Sequence, residues 1–302
     1  MNPEFFNSKI LLFGEYGMIY DAMALSIPFE KFSGRLDFST SESNAQSTAE
    51  IRKFYEYLHA NKVNSKLNFP FDLNRLGIDI SNELYFSSTI PQQYGVGSSG
   101  ALVAALFSRY AFSGSQNNFI PELLKADFAV LESYFHGKSS GIDPLISFLN
   151  QPLLIDSGKH IHKVNFDLHE AGMSIALIDT KTTGATSPLV QHFIEQYQNM
   201  EFKKVFDNQF ITENNICIES LLKSDKPNFF NALEKLIRFQ LEHFRRMIPI
   251  NFHSLIREAL DDHVFIKLLG SGGGGFLITF AESENVMENW TEKNGIELLK
   301  VV

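Results

Sequence analysis

The apolar residues of this chain change their spacing several times, and each change marks an element. Ile10 to Phe13 form an unbroken apolar run that meets Gly14, the pattern of a buried strand entering a turn. A polar stretch from Thr40 to Thr48 gives way to a helical pattern over residues 49–61, and Glu83 to Ser88 predict a second strand. The chain then turns through Pro91 into Gly95-Val96-Gly97-Ser98-Ser99-Gly100, which runs directly into ALVAALF, a sequence suited to a buried helix. Leu124, Phe128, Leu131 and Phe135 recur at helical spacing and predict a helix stopped by Gly137.

Beyond Asp143, PLLIDSGKHIHKV predicts a hairpin with Ser157-Gly158 at its turn, and MSIALIDT a buried strand. Leu233, Ile237, Leu241 and Phe244 mark a long helix. VFIKLL and FLITF are strand-like runs on either side of Gly270 and Gly272 to Gly275. These elements group as two αβ halves, residues 1–170 and 171–302, with no internal repeat or long linker, so the halves are expected to pack tightly.

Composition narrows the class of protein. With 302 residues, 44% hydrophobic and 20% charged, the chain has the make-up of a folded soluble protein. No apolar run approaches the roughly 18 to 20 residues that span a bilayer. The N-terminus, MNPEFFNSKILLFG, lacks the layout of a signal peptide, so a cytoplasmic protein without membrane partners is expected. Cys217 is the single cysteine and reads as packing. A net charge of −9 argues against a nucleic-acid partner. An anionic small-molecule substrate stays compatible with that charge, because phosphate sites are built locally from backbone N–H groups and a few cations. The 29 phenylalanines are scattered among Leu and Ile and read as core rather than as a base-stacking platform.

Three stretches carry candidate chemistry. In the first, Gly95 to Gly100 feed a helix N-terminus, where small residues admit a phosphate, orphan N–H groups point outward and the helix dipole favours an anion. Either Ser98 or Ser99 can ligate Mg²⁺ there. No Gly-Lys-Ser/Thr follows, so this is not a Walker A loop, and the dinucleotide-binding context of strand, tight turn and distant acid is missing. In the second, the run at Gly270 and Gly272 to Gly275 is longer than a hairpin needs, which points to close approach of a ligand or of the other glycine loop. In the third, Glu132 lies on a helix edge and Asp143 beyond a glycine-containing turn. Phosphoryl transfer from ATP needs a group to orient or deprotonate the attacking hydroxyl and a ligand for Mg²⁺, and these two carboxylates can supply them.

Taken in order, these stretches resemble the signature of the GHMP kinases, most closely its mevalonate kinases. Pro91 to Gly100 resemble the family's P-x-x-x-G-L-G-S-S-A loop, with Val96 for leucine and Gly100 for alanine. His136 to Asp143 resemble H-G-x-P-S-G-x-D, with Ser139 for proline, and Lys267 to Phe276 resemble the late glycine run. Asn7 to Tyr16 resemble the N-terminal P-G-K-x-x-L-x-G-E-H or G-E-Y segment, and Thr180 to Val190 the T-K-V-P-R-x-T-x-x-L-V segment.

The resemblance implies an α+β, two-domain GHMP kinase fold, with an N-terminal half like ribosomal protein S5 domain 2, a ferredoxin-like C-terminal half and the active site between them. It implies ATP and Mg²⁺ as cofactors. Asp143 would be the catalytic base or hydroxyl-orienting group and Lys9 its cationic partner. Gly95, Val96, Gly97, Ser98, Ser99, Gly100 and Ala101, with Gly272 and Gly273, would hold the nucleotide, and Ser99 and Glu132 the metal. Glu15, Tyr16, His136, Ser140, Gly141 and Thr186 would face the acceptor.

Phosphorylation of mevalonate in isoprenoid synthesis is the implied reaction. Phosphomevalonate, a sugar, or a non-catalytic regulatory role on the same fold are the alternatives, and a homodimer is compatible with the resemblance. Gly184 stands where the family has arginine, and Tyr16 where animal mevalonate kinases have histidine.

Overall fold

A computed structural model describes residues 4–60, 62–111, 120–165, 172–184 and 186–301, apart from the side chains of His136 and Thr186. The chain divides into two compact units, one of residues 1–9, 28–91 and 96–151, the other of 10–27, 92–95 and 152–302. Strands β1 (Phe6–Phe13) and β2 (Ala24–Phe38) contribute residues to each. They belong to a sheet of order β1-β2-β4-β5, with β3 (Leu84–Ser88) also paired to β2, and β4 (Leu153–Ile155) joined to β5 (Ile161–Lys163). The β4–β5 pair is the expected hairpin. Strand β2 carries only short apolar alternations, at Leu25, Ile27 and Phe29 and again at Leu36 and Phe38, and Pro28 and Gly34 lie within it as apparent breakers. It persists because its first residues are buried and its last pair antiparallel with β3, from Gly34 opposite Ser88 to Phe38 opposite Leu84.

The first unit is mainly helical. Helix α1 (Ala45–Ala60) starts before the expected residue 49, because its buried stripe of Thr48, Ile51, Phe54 and Leu58 opens on a polar residue. The side chain of Asp72 accepts from the Arg75 N–H at 3.0 Å and caps α2 (Leu73–Ser81). Helices α3 (Ser98–Tyr110) and α4 (Pro121–His136) follow, the latter stopped by Gly137 at φ 75° as its position predicts. Helix α5 (Ile142–Leu149) is invisible to periodicity, because six of its eight residues are buried and no polar face remains. Phe107, Phe128 and Phe148 tie α3, α4 and α5 together with ring centroids 4.8 to 5.8 Å apart.

In the second unit, β6 (Ser174–Asp179), β7 (Val264–Leu268), β8 (Phe276–Ala281) and β9 (Leu298–Lys300) form an antiparallel sheet of order β7-β8-β6-β9. The unit also holds α6 (Thr186–Tyr197), α7 (Met200–Val205), α8 (Ile211–Leu222), α9 (Lys226–His243), α10 (His253–Asp261) and α11 (Glu284–Asn294), of which α9, α10 and α11 pack on the sheet. A π turn over Phe206–Phe210 joins α7 to α8 and stacks those two rings at 4.8 Å. Phe193, Phe239 and Phe244 close around Phe206 with centroids 5.1 to 6.4 Å away. These phenylalanines are core, while Phe5 and Phe38 are exposed, and Cys217 is buried with its thiol pushed up by desolvation. Among the described residues, no helix is long and apolar enough to cross a membrane.

Phe206 is fully buried within this aromatic cluster. Phe206→Ala is expected to lower the unfolding free energy by about 3 to 5 kcal/mol. Equilibrium urea unfolding checks this, and a loss below about 1 kcal/mol would contradict the packing role.

Candidate active site

In the first unit, β1 buries Lys9 to 5% exposure and donates its backbone N–H to the carbonyl of Val96 at 3.0 Å, which registers the strand against the residue entering α3. The Lys9 ammonium meets Asp143 Oδ1 at 3.1 Å, with side-chain exposures of 6% and 34%. The lysine is thus sealed while the carboxylate keeps an edge open to solvent. Asp143 sits in the first turn of α5, just after Gly141, the left-handed cap residue at φ 75°. A Cβ on Gly141 would lie 2.2 Å from the Lys125 carbonyl, so the turn fits on α4 only as glycine. A Cβ on Gly100 would lie 2.8 Å from the Asp143 carbonyl carbon and 2.9 Å from both Asp143 Cβ and Pro144 N. The glycine found where the family has alanine therefore lets α5 rest on α3 beneath the candidate base.

Glu132 projects from α4 into the same unit and is 4% exposed. It accepts from Ser99 Oγ at 3.2 Å through Oε1 and from the Ser139 hydroxyl through Oε2. Burial, and secondarily the charge of Asp143, push its pKa up to about 8, against the lowering effect of Ser139, Lys9 and Ser99. Such a carboxylate is under-neutralised, which suits a site for a cation. Among the described residues, no group of three or more His, Cys, Asp or Glu can hold a metal. A hydroxyl beside one carboxylate nevertheless fits Mg²⁺, which takes one or two protein ligands and fills its other positions with water and phosphate oxygens. The chain enters α3 through Gly97, a cap residue in the left-handed conformation that offers no side-chain hydrogen bond, and no acidic residue lies in the first turn. The N–H groups of that turn and the helix dipole favour an anion there.

The other expected site residues are placed as follows. Val96 and Ala101 are buried, with Val96 contributing its carbonyl to Lys9. Ser98 opens α3, and the exposed Ser140 accepts from the Ile142 N–H at 3.4 Å. The side chains of His136 and Thr186 lie outside the described residues. Ser139, which stands where the family motif has proline, is a direct partner of Glu132. The serine at a proline position was the available signal.

In the second unit, Glu15 is wholly buried in an ion pair with Lys267, whose ammonium also donates to the Leu268 carbonyl at 2.7 Å and lies over the Phe13 ring at 5.1 Å. Burial lowers the lysine pKa and Glu15 acts against that shift. Tyr16 donates its hydroxyl to the Ser271 carbonyl at 2.6 Å and packs on Phe193 and Phe244, and burial holds its phenol well above the ordinary range. The glycine run is closed on its own unit. The N–H groups of Gly273 and Gly275 donate to the carbonyls of Met247 and Thr182, each at 2.6 Å. A Cβ on Gly275 would lie 2.7 Å from Tyr94, next to Gly95, so the run approaches the start of the other glycine loop. A Cβ on Gly184 would lie 2.7 Å from the Gly272 carbonyl oxygen, which leaves no space for the arginine expected there.

Residues 54–151 match the family model for the GHMP kinases N terminal domain. Comparison with curated proteins finds no match. Among solved structures, the L. major mevalonate kinase in complex with R-mevalonate superposes with a TM-score of 0.68 at 17% identity, covering 99% of this chain and 95% of that one. The Streptococcus pneumoniae phosphomevalonate kinase in complex with phosphomevalonate and AMPPNP gives 0.65 at 18% identity, covering 99% and 98%. The Lactococcus lactis galactokinase complexed with galactose gives 0.61 at 14%, covering 99% and 93%. At these identities the likeness establishes the fold.

The contact beneath Asp143 is open to test. Gly100→Ala is expected to cost about 1 to 3 kcal/mol of stability through overpacking and to shift Asp143 away from Lys9. Thermal unfolding and a crystal structure of the variant check this; an unchanged melting temperature with Asp143 unmoved would refute it.

Proposed function

We propose, for a chain with the N-terminal domain and fold of the GHMP kinase superfamily, that it transfers the γ-phosphoryl group of ATP to the hydroxyl of a small molecule, mevalonate first among the candidates. The observation that carries this reading is the Lys9–Asp143 pair, a sealed ammonium against a carboxylate that keeps one edge open. A purely binding protein has no need of that arrangement, whereas an alcohol made nucleophilic requires both a proton acceptor and a nearby positive charge.

Asp143 orients the acceptor hydroxyl and takes its proton. The hydroxyl oxygen bonds to the γ-phosphorus as the bond from that phosphorus to the leaving ADP oxygen breaks. Lys9 balances charge developing on the entering oxygen. The first-turn N–H groups of α3 receive phosphate oxygens. Ser99 and Glu132 would hold Mg²⁺, which supplies charge neutralisation on the ATP phosphates when bound.

The Ser140-Gly141-Ile142-Asp143 sequence and the likeness to mevalonate kinase structures support mevalonate as acceptor. Phosphomevalonate is the second reading, supported by the comparable likeness to a phosphomevalonate kinase.

ADP release measured with Mg·ATP and each of mevalonate, phosphomevalonate and galactose tests the proposal. Turnover with mevalonate is expected, and no acceptor-dependent ADP release with any of the three would overturn it. Asp143→Asn preserves shape and removes the charge. Turnover should fall by about 10² to 10⁴-fold while calorimetric ATP affinity stays within a few-fold. Wild-type turnover in this variant would exclude Asp143 from the chemistry.

A further inference from the structure

The turn between α4 and α5 carries a device that the kinase reading does not require. Ser139 is half-buried, and its hydroxyl is used twice. It donates to Glu132 Oε2 and accepts the N–H of Gly141 at 3.0 Å, and Gly141 is the residue that caps α5 and sets the start of the helix bearing Asp143. The Ser139 backbone N–H is itself held by Ser133 Oγ at 3.2 Å, and Ser133 donates to the Ala129 carbonyl at 2.6 Å. One hydroxyl thus links the carboxylate on α4 to the cap of α5. A hydroxyl has one proton to give and lone pairs to receive with, so both bonds can be made at once.

We propose that Ser139 is a positioning residue of the cation site. By holding Oε2 it fixes the rotation of the Glu132 carboxylate, leaving Oε1, the oxygen shared with Ser99, turned toward the incoming metal. By holding Gly141 it ties that orientation to the position of Asp143. A proline here has neither the hydroxyl nor the N–H and can make none of these bonds. The inference rests on the kinase reading, since it takes Ser99 and Glu132 as the metal ligands.

The test uses the full chain and reads Mn²⁺ binding in the presence of ADP, by electron paramagnetic resonance of free Mn²⁺, so that it does not depend on turnover. Ser139→Ala is expected to weaken Mn²⁺ by about 10-fold or more, the range typical for loss of a hydrogen-bond partner behind a metal ligand. Ser139→Thr, which keeps the hydroxyl, should restore binding to within a few-fold. Ser133→Ala loosens the same turn without touching Glu132 and should leave Mn²⁺ affinity nearly unchanged. Wild-type affinity in Ser139→Ala, or losses in Ser139→Thr or Ser133→Ala equal to that of Ser139→Ala, would overturn the role of Ser139 and leave the kinase reading standing. Failure of the wild-type chain to bind Mn²⁺ with ADP would instead overturn Ser99 and Glu132 as ligands, and the inference with them. Circular dichroism of each variant separates these outcomes from loss of the fold.

Discussion

Helix α5 rests on α3 across residue 100 so closely that one methyl group has no room, and the place of Asp143 follows from that contact. Two left-handed glycines bracket the arrangement, Gly97 at the start of α3 and Gly141 at the start of α5. Each lets the chain enter its helix where a side chain would strike another part of the unit. Close-packed interiors do not deform smoothly, so a helix seated this tightly has one position rather than a range. The aromatic triangle of Phe107, Phe128 and Phe148 holds the far side of the same helices. Lys9, pinned by its own backbone bond to Val96, then meets a carboxylate that cannot wander.

Two buried acids show how differently the fold treats charge. Glu15 is paired with an ammonium as deeply buried as itself, and neither side chain is exposed. A pair of that kind chiefly avoids the cost of an isolated buried charge, and removing one partner typically costs about 3 to 5 kcal/mol. Glu132 is nearly as buried but is met by two hydroxyls, with the charge of Asp143 acting against it. Hydroxyls soften the desolvation without neutralising it. The first carboxylate has its charge matched by the buried ammonium, whereas the second meets hydroxyls and a like charge, and perturbed acids of the second kind concentrate at functional sites.

The glycine run at Gly270 and Gly272 to Gly275 is answered within its own unit. Its backbone lies against Met247, Thr182 to Gly184 and Tyr94, and Tyr16 fastens Ser271 from the other side. At Gly272, Gly274 and Gly275 small residues are required by the close approach of one stretch of backbone to another, whereas Gly270 has open space around it. The N–H groups of Gly273 and Gly275 are spent in the same packing.

Much of the protein could be read from residue order. The helix of Leu124 to Phe135, the hairpin before β6 and the strands around the glycine run follow from spacing and turn residues, which act over a few positions. The candidate roles of Lys9, Ser99, Glu132 and Asp143 came from the resemblance of short motifs to a family, and the fold brings these residues together as the pairs Lys9–Asp143 and Ser99–Glu132. Strand β2 was hidden by Pro28 and Gly34, and α5 by burial on every side, because both owe their form to partners distant in the chain. The reason for glycine at 100 and the lack of space at Gly184 depend on contacts below about 3 Å between segments far apart in sequence, whereas the bonds of Ser139 reach only two and seven residues along the chain and need the folded turn between α4 and α5 to form. Local patterns report what a segment can become and which groups it carries. Which of those groups touch is decided only when distant stretches pack at atomic separation.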